Sequence, residues 1–201
     1  FKMHPFISTM ANMLVIFGLV TYATKGVSFG AIEPAIPKMI IPKINGFPTI
    51  ILWAVAAIVI VWFIWNKTTF GKNLYAVGGN PEAAAVSGIS VFGVTMGAFI
   101  LAGILYGFGS WLECARMVGS GSAAYGQGWE MDAIAACVVG GVSFTGGIGK
   151  ISGVVVGVLI FTVLIYSLTI LGIDTNLQFV FEGIIIITAV TLDCLKYVQK
   201  K

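Results

Sequence analysis

The chain has 201 residues, of which 58% are hydrophobic and only 9% are charged, and its mean hydropathy is +1.01. Soluble proteins carry about 25% charged residues, so this composition excludes a soluble enzyme, and with it the disordered, collagenous and disulfide-framework classes. The formal charge is only +3 and the 11 basic residues are scattered, so no nucleic-acid partner is expected. The composition predicts an all-α membrane protein, a polytopic helical bundle.

Apolar stretches long enough to cross about 30 Å of hydrocarbon are predicted to be transmembrane helices. Five clear stretches and one weaker stretch lie within a single predicted domain of residues 1–201. They are 5–22, 48–65, 91–109, 132–149, 151–171 and 178–192. The weaker one, 132–149, ends in glycines, so a short crossing, a broken helix and a re-entrant segment all stay open. Because the chain begins at Phe1 and enters its first apolar stretch at once, we expect a truncated N-terminus.

The distribution of basic residues predicts an orientation, because cytoplasmic loops are enriched in Lys and Arg. If 132–149 crosses the membrane and the C-terminus is cytoplasmic, seven basic residues lie inside and four outside. The inside set is Lys2, Lys67, Lys72, Lys150, Lys196, Lys200 and Lys201. The loop between the first two crossings contains three prolines, which forbid a continuous helix, and we expect it to be irregular and extracytoplasmic.

Three pairs of glycines with four-residue spacing occur in two of the predicted helices. In lipid, such pairs let two helix backbones approach closely and gain dispersion contacts, although glycine is also simply common in membrane helices. They predict a compact bundle packed at Gly93, Gly97, Gly103, Gly107, Gly153 and Gly157.

The polar segment 66–90 is expected to lie in the cytoplasm and has the features of a short helix. Gly78 and Gly79 predict a flexible turn, Asn80 a helix cap, Pro81 the first turn, and Gly88 the end. Between them, Glu82 suits the positive end of the helix dipole, and the alanines that follow are strong helix formers. A helix this short is marginal alone, so it needs a partner surface. An amphipathic interfacial loop is the alternative interpretation.

Three blocks of sequence resemble the permease subunits of bacterial ATP-binding-cassette importers of the ribose and galactoside type, with the permeases for galactose and methyl galactoside most similar. They are GKNLYAVGGNPEAAAVSGI, WEMDAIAACVVGGVSFTGG and the tail TLDCLKYVQKK. The strong resemblance extends from about Asn66 to Lys201. It implies a subunit of about ten membrane helices, of which this chain resembles the C-terminal part with about six crossings.

The resemblance also implies a function: import of a monosaccharide such as galactose or a methyl galactoside across the inner membrane. The partners it implies are a second permease subunit, a periplasmic sugar-binding protein and a cytoplasmic ATPase, which binds the ATP. It places the segment that docks into the ATPase at Gly78, Gly79, Asn80, Pro81, Glu82, Ala83, Ala84, Ser87 and Gly88. An ion-coupled sugar transporter is the alternative function.

Polar residues in or beside membrane helices are costly, so they are candidates for the substrate pathway. Glu113 and Arg116 are three residues apart, so they can also form an ion pair on one helix. Trp129, Glu130 and Asp132 could contact a sugar, dock the binding protein or cap a helix.

No catalytic residues, metal site or cofactor are expected. GGIGK, ending at Lys150, lacks both the first glycine of a phosphate loop and the Ser or Thr after the lysine. The three cysteines show no metal-ligand spacing.

Overall fold

The structure is a computed structural model that describes residues 5–28, 35–44, 47–117, 121–143 and 145–198. Lys2, Lys200 and Lys201 lie outside the described residues. The helices, in chain order, are α1 (Pro5–Thr24), α2 (Ala35–Ile40), α3 (Ile50–Lys67), α4 (Thr69–Gly79), α5 (Pro81–Val86), α6 (Val91–Met117), α7 (Trp129–Val139), α8 (Ile151–Ile170) and α9 (Thr175–Val198). Two-residue strands, β1 (Lys43–Ile44) and β2 (Phe47–Pro48), form an antiparallel pair between α2 and α3. The predicted all-α class is confirmed.

Within the described residues, four helices are long and apolar enough to cross a membrane: α1, from Phe6, together with α3, α6 and α8. α9 contains a shorter apolar stretch, Asn176–Thr191. α6 extends to Met117, eight residues beyond the stretch predicted from hydropathy. Long helices therefore form at five of the six predicted stretches, whereas the stretch 132–149 contains only part of the shorter helix α7.

The glycine-rich stretch 132–149 does not form one continuous helix. α7 ends at Val139 after 11 residues, a length of about 16 Å, which is half of the hydrocarbon layer. Gly140 and Gly141 follow as a turn, and Gly141 has a positive φ of 83° that favours glycine. α7 is thus a short helix followed by a turn, and the choice between a short crossing, a broken helix and a re-entrant segment stays a prediction.

The chain divides into two compact units. The first comprises Phe1–Trp53 and Gly103–Gln127. It contains an aromatic cluster: the Trp53 ring meets the rings of Phe108 and Trp111 edge-on, with centroids 5.9 and 6.0 Å apart. The Trp53 indole N–H also donates a hydrogen bond to the Ile40 carbonyl, at 3.1 Å. Large side chains thus make these contacts within the first unit.

The second unit comprises Ala54–Ala102 and Gly128–Lys201. Its core lies where α7 packs against α8 and α9, around the buried side chains of Ala135, Ala136 and Phe161. Ile165, Ile185 and Ile186 pack against that core. These three helices therefore form one packed body.

The apolar windows of α1 and α3 bury none of their residues within the chain. Apolar surface of this extent does not face water in a stable protein. It requires lipid or another protein chain as its neighbour.

Candidate functional site

The segment between α3 and α6 contains two helices joined at Asn80. Asn80 ends α4, because its backbone N–H donates to the Ala76 carbonyl at 3.0 Å. It also begins α5, because its side-chain oxygen accepts hydrogen bonds from the backbone N–H groups of Glu82 and Ala83, both at 3.0 Å. A side-chain cap of this kind contributes about 1 kcal/mol to helix stability. One residue thus sets the angle between the two helices.

α5 lies where the sequence predicts a short helix, and Gly88 follows it with a positive φ of 82°. The Ser87 hydroxyl donates to the Ala83 carbonyl at 2.9 Å and closes the last turn. Gly78 and Gly79, in contrast, do not form the predicted flexible turn. They are the last two residues of α4, an 11-residue helix that the sequence interpretation missed.

The outer face of α5 differs from the expected alanine surface. Ala84 is only 4% exposed, so its side chain faces the chain itself and is not available to a partner. Ala83 and Ala85 are exposed, and the apolar side chain of Val86 is 91% exposed. The surface open to another protein is therefore centred on Val86, which the sequence interpretation did not single out.

α4 is fixed tightly to the helices on either side of it. The Thr68 hydroxyl donates to the Ile64 carbonyl of α3 at 2.5 Å and accepts from the Gly71 N–H at 3.2 Å. A Cβ placed on Gly71 would lie 2.1 Å from the Trp65 carbonyl oxygen, so no larger residue fits this corner. On α6, a Cβ on Gly97 would lie 2.7 Å from the Phe70 ring of α4. Movement of α4 therefore acts on α3 and α6.

The far end of α4 contacts the loop that joins α7 to α8. The Tyr75 hydroxyl donates to the Gly149 carbonyl at 2.7 Å. A Cβ on Gly78 would lie 2.8 Å from the Gly147 nitrogen, and one on Gly147 would lie 2.6 Å from the Gly79 Cα. Backbone thus meets backbone here, with no space for a side chain between them.

The predicted glycine pairs have different surroundings. A Cβ on Gly157 would lie 2.1 Å from the Ala136 carbonyl oxygen, and one on Gly153 would lie 2.2 Å from the Gly140 oxygen. This pair brings α8 into backbone contact with α7. Gly97 packs against Phe70, and Gly93 lies beside its own capping residue, Ser90. Gly103 and Gly107 have no atom within 4 Å of a built Cβ among the described residues, so a packing role there stays a prediction.

Glu113 and Arg116 pair with each other on α6. The Arg116 Nε donates to both carboxylate oxygens of Glu113, at 3.1 and 2.9 Å, and its Nη2 contacts the same carboxylate. The Tyr125 hydroxyl donates to Glu113 at 2.5 Å, and this hydrogen bond raises the pKa of the Tyr125 phenol. The ion-pair interpretation therefore has a geometric basis, and a substrate role stays a prediction.

Trp129, Glu130 and Asp132 lie in the first turn of α7. The Glu130 carboxylate accepts a hydrogen bond from the Gly128 N–H at 3.1 Å, which is the helix-capping alternative. The Asp132 carboxyl group lies close to that of Glu182 on α9. Trp129 is half exposed. No contact to a sugar follows from this arrangement, and the pathway role of these residues stays a prediction.

Several residues of these contacts were not predicted. Tyr75, Gly140, Gly147, Gly149 and Glu182 each meet a partner that is distant in sequence. The only sequence signal for them is the density of glycines in 140–149 and one acidic residue in an apolar stretch. Within the described residues, no group of three or more His, Cys, Asp or Glu side chains could hold a metal ion.

Apolar helices of membrane-crossing length, joined by a capped and exposed helical segment, define a multi-pass α-helical membrane protein. Residues 1–190 match the family described as branched-chain amino acid transport system / permease component. The chain belongs to this family of transport permeases.

Individual relatives agree with the resemblance to sugar permeases. The chain is 56% identical, over 209 aligned positions, to the galactose/methyl galactoside import permease protein MglC of Treponema pallidum, covering 100% of this chain and 39% of that protein. It is 44% identical over 205 positions to MglC of Escherichia coli, covering 98% and 60%. It is 39% identical over 194 positions to the ribose import permease protein RbsC of Bacillus subtilis, covering 96% and 60%.

The chain thus spans between 39% and 60% of the length of these curated relatives. No solved structure matches it. The predicted membership of the sugar-permease group is confirmed, and the ion-coupled alternative gains no support from these comparisons.

Proposed function

We propose that this chain is part of the membrane-spanning subunit of an ATP-driven importer for a monosaccharide. The observation that carries the proposal is identity of 39–56% to proteins named as galactoside and ribose import permeases, along nearly the whole of this chain. The family description refers to branched-chain amino acids, whereas these individual relatives are named for sugars. Because the individual matches extend over nearly the entire chain, we favour a sugar such as galactose or a methyl galactoside.

In this proposal α5 is the contact with the ATPase. It lies between α3 and α6, and its apolar residue Val86 is exposed. A single exposed Val needs no explanation, but an exposed Val at the tip of a capped helix suits an apolar groove on a partner. Closure of the ATPase would then displace α5 and tilt α3 and α6 through the contacts of Thr68 and Phe70.

The remaining partners and the orientation belong to the same proposal. The ATP is bound by the ATPase subunit, the sugar is delivered by a periplasmic binding protein, and the permease pairs with a second copy. The protein lies in the bacterial inner membrane, with α5 and the C-terminus in the cytoplasm. The exposed apolar faces of α1 and α3 support contact with lipid or with the second copy.

Uptake into proteoliposomes tests the proposal. The full-length permease that contains this sequence is reconstituted with its ATPase and sugar-binding protein, and uptake of labelled galactose, ribose and leucine is measured with and without internal ATP. We expect uptake of a sugar that requires both ATP and the binding protein and persists with a protonophore. Uptake of leucine alone would contradict the substrate class, and uptake without ATP that the protonophore abolishes would contradict the mechanism.

A further inference from the structure

The loop at 140–150 is joined to α4 by a small set of close contacts. We call these the α4–loop contact: Tyr75, Gly78 and Gly79 on α4, with Gly146, Gly147 and Gly149 on the loop. Open clefts of about 300 and 400 Å³ border it. Force between α4 and the loop therefore passes mainly through these few atoms.

The α4–loop contact is stiff because it is made by backbone atoms. A Cβ on Gly146 would lie 2.7 Å from the Gly78 carbonyl oxygen, and the corresponding clashes at Gly78 and Gly147 are equally severe. Gly146 and Gly147 also have positive φ values, 97° and 71°, that favour glycine. Backbone surfaces in contact cannot yield by rotating a side chain, so a displacement of one must displace the other.

On its other side, the loop is continuous with the packed body of α7, α8 and α9. Gly140, the first residue after α7, meets Gly153 and Gly157 on α8 at backbone distance. Phe161 and Ala136 then join α8 and α7 to the isoleucines of α9. A displacement of the loop therefore moves α7, α8 and α9 together as one body and does not bend a single helix.

We propose that the α4–loop contact carries the ATPase stroke from α5 to the body formed by α7, α8 and α9, in addition to the path through α3 and α6. This inference rests on the proposed function. It assigns Tyr75 and Gly78 as positioning residues, which transmit movement and touch neither sugar nor ATP. A rigid-body shift between two packed arrangements is a known form of such a switch.

Two helical glycines provide a matched pair of variants for the test. Gly78 lies in the last turn of α4, and Gly109 lies in α6, where a built Cβ has no atom within 4 Å among the described residues. Gly78→Ala therefore separates α4 from the loop, whereas Gly109→Ala makes the same chemical change without a clash and outside the α4–loop contact. Tyr75→Phe removes only the hydrogen bond to Gly149 and keeps the ring.

The experiment measures sugar imported per ATP hydrolysed in proteoliposomes that contain the full-length permease, its ATPase and its binding protein. We expect Gly78→Ala to retain the ATPase and hydrolyse ATP while the ratio falls on the order of tenfold, the size of a typical coupling between sites. Tyr75→Phe should lower the ratio about threefold, as expected for one hydrogen bond. Gly109→Ala should stay within about twofold of the parent.

Hydrogen exchange at residues 140–150 provides a second readout. ATP with vanadate should change the protection of these amides in the parent and in Gly109→Ala, and this change should be lost in Gly78→Ala. Equal ratios and equal exchange in all three variants, with the ATPase still cross-linked to a cysteine at Val86→Cys, would overturn this inference alone. Failure of that cross-link in Val86→Cys without any other substitution would overturn the proposed contact of α5 with the ATPase, and this inference with it.

Discussion

The two compact units hold their helices together by opposite means. In the second unit, Gly153 and Gly157 on α8 meet Gly140 and Ala136 on α7 with backbone against backbone. In the first unit, large side chains make the contacts, and Gly103 and Gly107 of α6 have the same four-residue spacing but no neighbour within 4 Å among the described residues. The spacing of glycines therefore permits close helix packing but does not identify the partner.

This difference predicts opposite sensitivities to mutation. Where backbones touch, the addition of one methyl group should be more harmful than any truncation, because nothing can rotate away. Where side chains hold the helices, truncation should be harmful and small additions tolerated. Measured in the full-length protein, single substitutions in each unit therefore support or contradict this contrast.

The largest effect is expected for Gly157→Ala. The new methyl group would lie 2.1 Å from the Ala136 carbonyl oxygen, and only a shift of the whole helix relieves that clash. We expect a loss of about 3 kcal/mol in the free energy of unfolding, the upper end of the range for overpacked cores. Thermal unfolding in detergent measures it.

Gly103→Ala is the matched control for that variant. It makes the same change in a helix, where a built Cβ has no atom within 4 Å among the described residues, and alanine favours helix by up to about 1 kcal/mol relative to glycine. Stability equal to or slightly above the parent is expected. An equal loss in both variants would mean that the contrast between the two units is wrong.

A smaller loss is expected for Trp53→Ala in the first unit. The substitution removes two aromatic contacts and the hydrogen bond to Ile40. Aromatic pairs contribute about 0.5–1.5 kcal/mol each, and partial exposure of Trp53 reduces the total, so we expect a loss of about 1–2 kcal/mol. Trp53→Phe keeps an aromatic ring and should retain part of the stability that Trp53→Ala loses. No loss in Trp53→Ala, measured by the same thermal unfolding, would show that the aromatic cluster does not hold this unit.

The smallest effect concerns the Tyr125 phenol. Its hydrogen bond to Glu113 raises its pKa, so the neutral, donating form persists above the ordinary value of about 10. The stabilisation is therefore complete below that pH and is lost as the pH rises through the raised pKa. NMR titration of ¹³C-labelled tyrosine should show Tyr125 titrating late, and Glu113→Gln should lower its pKa. An unchanged pKa in Glu113→Gln would contradict this hydrogen bond.

The parts of this structure that follow from neighbouring residues were predictable from the sequence. Asn80, Pro81 and Gly88 obey local capping rules, and α5 lies between them. Hydropathy located the long helices, but it ended the third stretch at Gly109, whereas α6 continues through a turn in which Glu113 and Arg116 pair. Local rules therefore predicted the helices but missed where some of them end.

The contacts between distant segments were not predictable in this way. Tyr75 and Gly149 are 74 residues apart, and nothing in either neighbourhood specifies the other. The burial of Ala84 was not predictable either, because the alanines of α5 do not by themselves define which face of the helix packs against the chain. Glycine spacing indicated that α8 could pack closely, but α7 as its partner emerges only in the folded chain.

The central claim, that α5 receives the ATPase, can be tested most directly by photo-cross-linking. Val86→Cys, in a background with all native cysteines of the full-length permease replaced by alanine, is labelled with a benzophenone maleimide in the assembled transporter. Leu171→Cys is the control, because Leu171 is 74% exposed and follows the last residue of α8, about 30 Å along that helix from Ile151. The account predicts cross-linking of the ATPase from position 86 and none from position 171. Cross-linking from position 171 alone, or from neither in an active complex, would contradict it.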